Sequence, residues 1–173
     1  MNDSIDGRIG EAWSGEVPDG SHVNVVLARR GSVTAAAAVT AFTAPTGGHT
    51  PVLVCLGGNM PVWPPTIMMN KATAATERHE RLTWGAAQLG IGEGVLDAVA
   101  NGLLTPDGDT LVLVAVWVDP AGTDKVAIRA ANRDATARAI RRALEGPAPG
   151  DVEALLALRG SVANAFFADP EAS

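Results

Sequence analysis

The chain has 173 residues, of which 47% are hydrophobic and 18% charged, and its formal net charge is −6. That length suits one domain that buries roughly 70% of its unfolded-chain surface and needs no disulfide or metal to hold it. An acidic balance argues against nucleic acid and anionic membrane as partners, because both demand clustered Lys and Arg.

The first dozen residues, Met1 to Ala12, contain Asp3, Asp6 and Glu11 and no hydrophobic core, so they do not read as a signal peptide. The segment His22 to Leu27 begins with apolar/polar alternation and suits a strand with one face partly wet. After Gly31-Ser32, the Ala-rich stretch Val33 to Phe42 predicts a helix, stopped by Pro45 and Gly47-Gly48. Thr50 to Leu56 predicts a strand that contains the single Cys55, expected as a buried, inert thiol. A Pro-rich loop follows, and Thr66 to Thr73 predicts a third strand, polar in its second half.

Glu77 to Ala100 has helical spacing weakened by Gly85, Gly90, Gly92 and Gly94, which predicts a kink or a close helix contact. Leu111 to Val118 is apolar at every position, as expected of a strand covered on both faces or at a subunit contact, and is too short to span a bilayer. Asp124 to Leu144 predicts a helix with Val126, Ala130, Ala137, Ile140 and Leu144 on its buried stripe. A short helix from Asp151 to about Arg159 and an aromatic tail at Phe166-Phe167 complete the reading. Strands and helices are mixed without a regular βαβ repeat, so the expected class is α+β, a two-layer α/β sandwich. The expected compartment is the cytoplasm.

The three histidines have no metal-ligand spacing, and the Gly90-Ile-Gly92-Glu-Gly94 run lacks the strand that a dinucleotide loop needs. No metal site is therefore expected. Two pairs remain. Residues two apart share one face of a strand, so His22 points with Asn24, and Lys71 with Thr73. Together they offer an imidazole, an amide, an ammonium and a hydroxyl, which can move protons and hold a polar heterocycle. Solvated strand ends and a gatekeeper lysine are the plainer reading of the same residues.

At these residues the chain resembles the formaldehyde-activating enzymes of tetrahydromethanopterin-linked one-carbon metabolism. The stretches that carry the resemblance are IGEAWSGE (Ile9 to Glu16), SHVNVVL (Ser21 to Leu27), GGHTPVLVCL (Gly47 to Leu56) and NMPVWPPTIMMNKATA (Asn59 to Ala74). Further along come WGAAQLGIGEGVLDAV (Trp84 to Val99), LVLVAVWV (Leu111 to Val118) and NRDATARAIRRALEGP (Asn132 to Pro147). From His22 through Lys71 to Gln88 the spacing runs without a gap relative to the family pattern.

The resemblance implies a lyase that condenses formaldehyde with tetrahydromethanopterin as co-substrate, with no permanently bound cofactor. It also implies a fold similar to the second domain of ribosomal protein S5, and a homopentamer with the pterin in a cleft between subunits. The general-acid His falls on His22, and the pterin-binding positions on Leu53, Lys71, Thr73 and Gln88. The expected domain runs over residues 9–168, with a disordered stretch at 1–8 and a tail at 169–173.

One position departs. The family has Asp two residues after the acid His, where this chain has Asn24. Asn keeps the shape and one acceptor but loses the charge that would favour an adjacent imidazolium. The alternative expectation is therefore a paralogue that binds pterin or formaldehyde as a sensor or carrier and turns over slowly. The loop before Lys125 is also shorter and less acidic than the family pattern, and the pattern fades around Asn164 to Phe167.

Overall fold

In a computed structural model that describes residues 5–161, five strands form one mixed sheet in the order β1-β2-β5-β4-β3. They are β1 (Ile9–Ser14), β2 (Ser21–Arg29), β3 (Val52–Leu53), β4 (Thr66–Asn70) and β5 (Thr110–Val118). All pairings are antiparallel except β4 with β5, which is parallel. With the helices α1 (Val33–Thr43), α2 (Glu77–Arg81), α3 (Gln88–Ala100), α4 (Lys125–Glu145) and α5 (Asp151–Leu158), the content is mixed α and β, consistent with α+β. Phe166-Phe167 lies outside the described residues.

Period-two alternation divides the sheet into two faces. One face carries Ala12, Val23, Val25, Leu27, Met68, Val112, Val114, Val116 and Val118, all buried, and α4 packs on β1 and β2 there. Burying this many branched side chains, at about 25 cal/mol for each Å² of apolar area, is the main stabilising term of the fold. Of the two expectations for β5, cover on both faces is not met within one chain. Its buried residues alternate with the half-exposed Leu111, Leu113, Ala115 and Trp117. Uniform apolarity hid an alternation that exposure reveals.

Helix α4 also departs from its expected stripe. Val126 is 68% exposed, and the buried side is Ile128, Ala131, Asn132, Ala135, Thr136, Ala139, Ile140 and Ala143. Alanine occurs all round this helix, so apolarity could not say which side is inward. Small size decides instead, because α3 and α4 approach closely through glycine. A Cβ on Gly90 would lie 2.2 Å from the Arg129 carbonyl oxygen, and one on Gly94 2.5 Å from that of Arg133. Between α2 and α3 the chain forms a π-helical turn, Leu82–Ala87, which is the expected interruption of the 77–100 helix. Two ion pairs, Arg129–Glu93 and Arg133–Asp97, tie the outer sides of α3 and α4.

Strand β1 has no counterpart among the predicted elements. Ile9, Glu11 and Trp13 are exposed while Gly10 and Ala12 are buried, an alternation masked because the inward residues are so small. Gly10 is required there, since a Cβ would meet the Ala139 carbonyl oxygen at 2.0 Å. Ile5, which precedes the expected domain boundary, packs against the core, and Asp6 accepts from the Arg29 backbone N–H at 2.9 Å.

Candidate functional site

The half-exposed face of the sheet carries the site. Reading across the strands, Trp13 lies opposite His22 and His22 opposite Trp117. One row away come Glu11, Asn24, Ala115 and Met69, and beyond them Ile9, Val26, Leu113, Ile67 and Leu53. His22 and Asn24 share a face as expected. Leu53, 41% exposed, shares it too.

Lys71 and Thr73 are not on a strand, because β4 ends at Asn70. The buried Asn70 side chain causes the turn. Its amide donates to the carbonyls of Gly48 and Ala72, and its oxygen accepts from the Thr50 N–H. Lys71 keeps one more ladder contact, its N–H donating to the Val116 carbonyl at 2.8 Å, which sets it beside Trp117. From there Lys71 Nζ reaches across the sheet to His22 Nδ1 at 2.9 Å.

The opposite edge of the imidazole is held as well. His22 Nε2 lies 2.6 Å from Glu11 Oε2. Glu11 Oε1 in turn faces Arg142 Nη1 at 3.4 Å, and the same guanidinium donates to the Glu11 carbonyl at 2.7 Å. The result is a chain of polar groups, Arg142–Glu11–His22–Lys71, drawn from α4, β1, β2 and the end of β4. With an N–H of Lys71 donated to Nδ1, the imidazole proton sits on Nε2 and is donated to Glu11. The Trp13 ring flanks it, with centroids 6.4 Å apart.

Gln88 and Thr73 stand apart from this chain. The Gln88 side-chain oxygen accepts from the Cys55 N–H at 3.1 Å, and its amide donates to the Trp84 carbonyl at 2.6 Å. Gln88 thus fastens the end of β3, two residues from Leu53, and its oxygen is already engaged. Thr73 is exposed, with its hydroxyl against Gly48, where φ is +83°. A Cβ at Gly48 would sit 2.3 Å from that hydroxyl oxygen. Cys55 is half-buried rather than buried.

Sequence reasoning missed Glu11 and Arg142. Both were visible only as charges, and a partner on the edge strand becomes legible once β1 is recognised. Arg142 is exposed on α4, and its guanidinium reaches both the backbone and the carboxylate of Glu11 on the edge strand. A cavity of about 590 Å³ wraps this edge, lined by Glu11, Asn24, Arg142 and Leu155 among others. It touches the chain of polar groups at Glu11 and Arg142. His22 and Lys71 lie on the open shelf beside it. Among the described residues no group of three or more His, Cys, Asp or Glu could hold a metal ion.

A family model described as formaldehyde-activating enzyme (Fae) matches residues 9–167. The chain belongs to the formaldehyde-activating enzyme family. A 5,6,7,8-tetrahydromethanopterin hydro-lyase of Methanosarcina barkeri is 34% identical over 160 residues, covering 91% of this chain and 89% of that protein. A bifunctional enzyme Fae/Hps of Methanococcoides burtonii is 33% identical over 140 residues, 80% of this chain and 35% of that protein. The corresponding enzyme of Archaeoglobus fulgidus is 34% identical over 140 residues and is covered to 36%. This chain therefore spans about a third of the bifunctional relatives and nearly the whole of the hydro-lyase. Among its described residues no helix is long and apolar enough to cross a membrane.

Burial lowers the Lys71 ammonium from 10.5 to about 8, against the opposing pull of Glu11. Between those two values the unfolded chain binds more protons than the folded one, so stability rises with pH. Below about 8 the fold carries a charged, partly desolvated ammonium, and above 10.5 neither state does. Lys71→Met is therefore expected to gain stability relative to wild type at pH 7, an advantage that shrinks as pH approaches 10.5. Thermal melts of both proteins at the two pH values check this. A difference that does not vary with pH contradicts it.

Proposed function

We propose that this protein condenses formaldehyde with a tetrahydropterin, releasing water and leaving a methylene bridge between two pterin nitrogens. The observation that carries the reading is the imidazole of His22 clamped between Lys71 Nζ and Glu11 Oε2. An amine adds to formaldehyde readily, and the harder event is expulsion of hydroxide from the carbinolamine. That event needs a proton donor poised near neutral pH, which is the work of an imidazole. His22 is the general acid in this reading. The 34% identity to a tetrahydromethanopterin hydro-lyase makes tetrahydromethanopterin the first substrate to test.

The remaining site residues take binding roles. Leu53, with the half-exposed Leu113 on the same face of the sheet, offers an apolar wall to the ring system. Lys71, Asn24 and Thr73 offer polar contacts along its edge, and the second amide hydrogen of Gln88 offers another. An open shelf lacks an opposite wall. A second copy of the chain supplies one in this reading, in keeping with a homopentamer and an S5-like domain over residues 9–168 in the cytoplasm. The exposed apolar residues Trp13, Ile9 and Leu53 suit burial at such a contact.

A second reading, a pterin- or formaldehyde-binding sensor or carrier with little turnover, is favoured by Asn24. Against it stands Glu11, which brings a carboxylate to His22 despite the missing Asp. Purified protein mixed with formaldehyde and tetrahydromethanopterin, with tetrahydrofolate in parallel, should form the methylene derivative faster than the spontaneous reaction. Saturable pterin binding without acceleration would establish the second reading instead. Asn24→Asp supplies a further check. Asn24 is directly opposite Glu11, so a second carboxylate there is expected to lower stability by about 0.2–1 kcal/mol while tightening pterin binding or raising turnover. No gain in either would show that the Asp of the family is dispensable here.

A further inference from the structure

Lys71 is placed as more than a hydrogen-bond donor. The sequence holds only two lysines, Lys71 and Lys125. Lys125 is exposed at the start of α4, whereas Lys71 is half-buried and points its amine at an imidazole nitrogen 2.9 Å away. The titratable groups facing it are His22 from β2 and, through His22, Glu11 from β1.

We propose that Lys71 carries formaldehyde covalently, as an iminium at Nζ, and hands it to the pterin. This rests on the formaldehyde-condensing reading above and names the intermediate that reading lacks. An uncharged Lys71 keeps one N–H on His22 Nδ1 and leaves its lone pair free for the carbonyl carbon. Bond formation gives Lys71–NH–CH2–OH, with Nδ1 positioned to take the proton that nitrogen loses and to return it to oxygen. A further proton through the same imidazole expels water, and the positive charge stays on Lys71–NH=CH2. Glu11, held by Arg142, steadies the imidazole while it is protonated. A pterin amine then adds to the iminium carbon, the lysine amine departs uncharged, and the second pterin amine closes the ring with loss of a proton. Formaldehyde and the diamine are thereby converted to the methylene compound and one water, with Lys71 restored.

The electrostatics agree with this chemistry. An ordinary lysine amine is almost wholly protonated at pH 7, whereas the Lys71 ammonium, lowered by burial to about 8, releases its proton more readily. The free-amine fraction at pH 7 is roughly a hundredfold or more above that of an exposed lysine.

The test treats the full chain with formaldehyde and cyanoborohydride, which reduces an iminium to a methylamine, and maps methylation at short times. At pH 7 Lys71 is expected to be methylated at least about tenfold faster than Lys125, the built-in exposed control, and to gain little further as pH rises beyond about 8, where its amine is already largely uncharged. Tetrahydromethanopterin added before the reductant should discharge Lys71. Methylation of Lys71 no faster than Lys125, in protein that does accelerate the condensation, would overturn the carrier role and leave the condensing reading intact. Selective methylation in protein that accelerates no condensation would overturn the condensing reading and the transfer to pterin, and leave only formaldehyde capture at Lys71.

Discussion

His22→Ala is expected to reduce the enzyme-dependent rate of methylene formation by roughly 10²- to 10⁴-fold, the usual contribution of one positioned general acid. The His22 side chain is hydrogen-bonded to the side chains of Lys71 and Glu11 and flanked by the Trp13 ring, so its loss should leave the sheet intact. Its neighbours Val23 and Val25 keep their burial on the other face. Three rates compared at one formaldehyde concentration decide the matter: wild type, variant and no protein. A variant with more than a tenth of the wild-type acceleration would remove His22 from the proton-transfer step. Glu11→Gln sharpens the result. Glutamine keeps a hydrogen-bond acceptor for Nε2 but cannot steady an imidazolium, so its defect should appear in turnover and in the pH profile rather than in pterin affinity.

Gly90→Ala is expected to cost about 3 kcal/mol or more, the upper end of overpacking penalties. The added methyl would lie 2.2 Å from the Arg129 carbonyl oxygen and 2.9 Å from the Asn132 Cβ, and neither can yield without shifting α4. For a domain of this size that loss lowers the melting temperature by about 6–12 °C. Gly85→Ala is the control, since nothing lies within 4 Å of a Cβ there. It should be neutral or raise the melting temperature slightly by restricting the unfolded chain. If the two variants melt alike, the α3–α4 approach is looser than the glycines indicate.

The legible parts of this fold were the long ones. Helices α1, α4 and α5 and strand β2 lie within a residue or two of their expected bounds, because caps and breakers mark them: Ser32 and Asp124 accept at the helix N-termini, and Gly146 ends α4. Legibility failed where side chains are small or where a buried polar group bends the chain. Gly10 and Ala12 gave β1 no apolar signature, the alanines of α4 did not distinguish inside from outside, and Asn70 turned the chain before Lys71. For the site, pairing within a strand was readable and pairing across strands was not. Nothing local to Lys71 says that β5 lies between it and His22, since that depends on the β2-β5-β4 order. The family likeness brought these residues together by analogy, and it left out Glu11 and Arg142.

The turn that takes Lys71 off the strand has a further consequence, set by a histidine outside the site. His79 is buried, accepts the Ala75 N–H on Nδ1, and donates from Nε2 to the Val118 carbonyl at the end of β5. The segment bearing Lys71 and Thr73 is thus anchored at both ends, by Asn70 on one side and by His79 on the other. A tethered span has little configurational freedom left to lose when a ligand docks, so the ordering cost of binding has already been met in folding. In the proposed reading, ligand selection on this shelf therefore rests on a short strap of fixed length, whose reach is measured out by two buried side chains, Asn70 and His79.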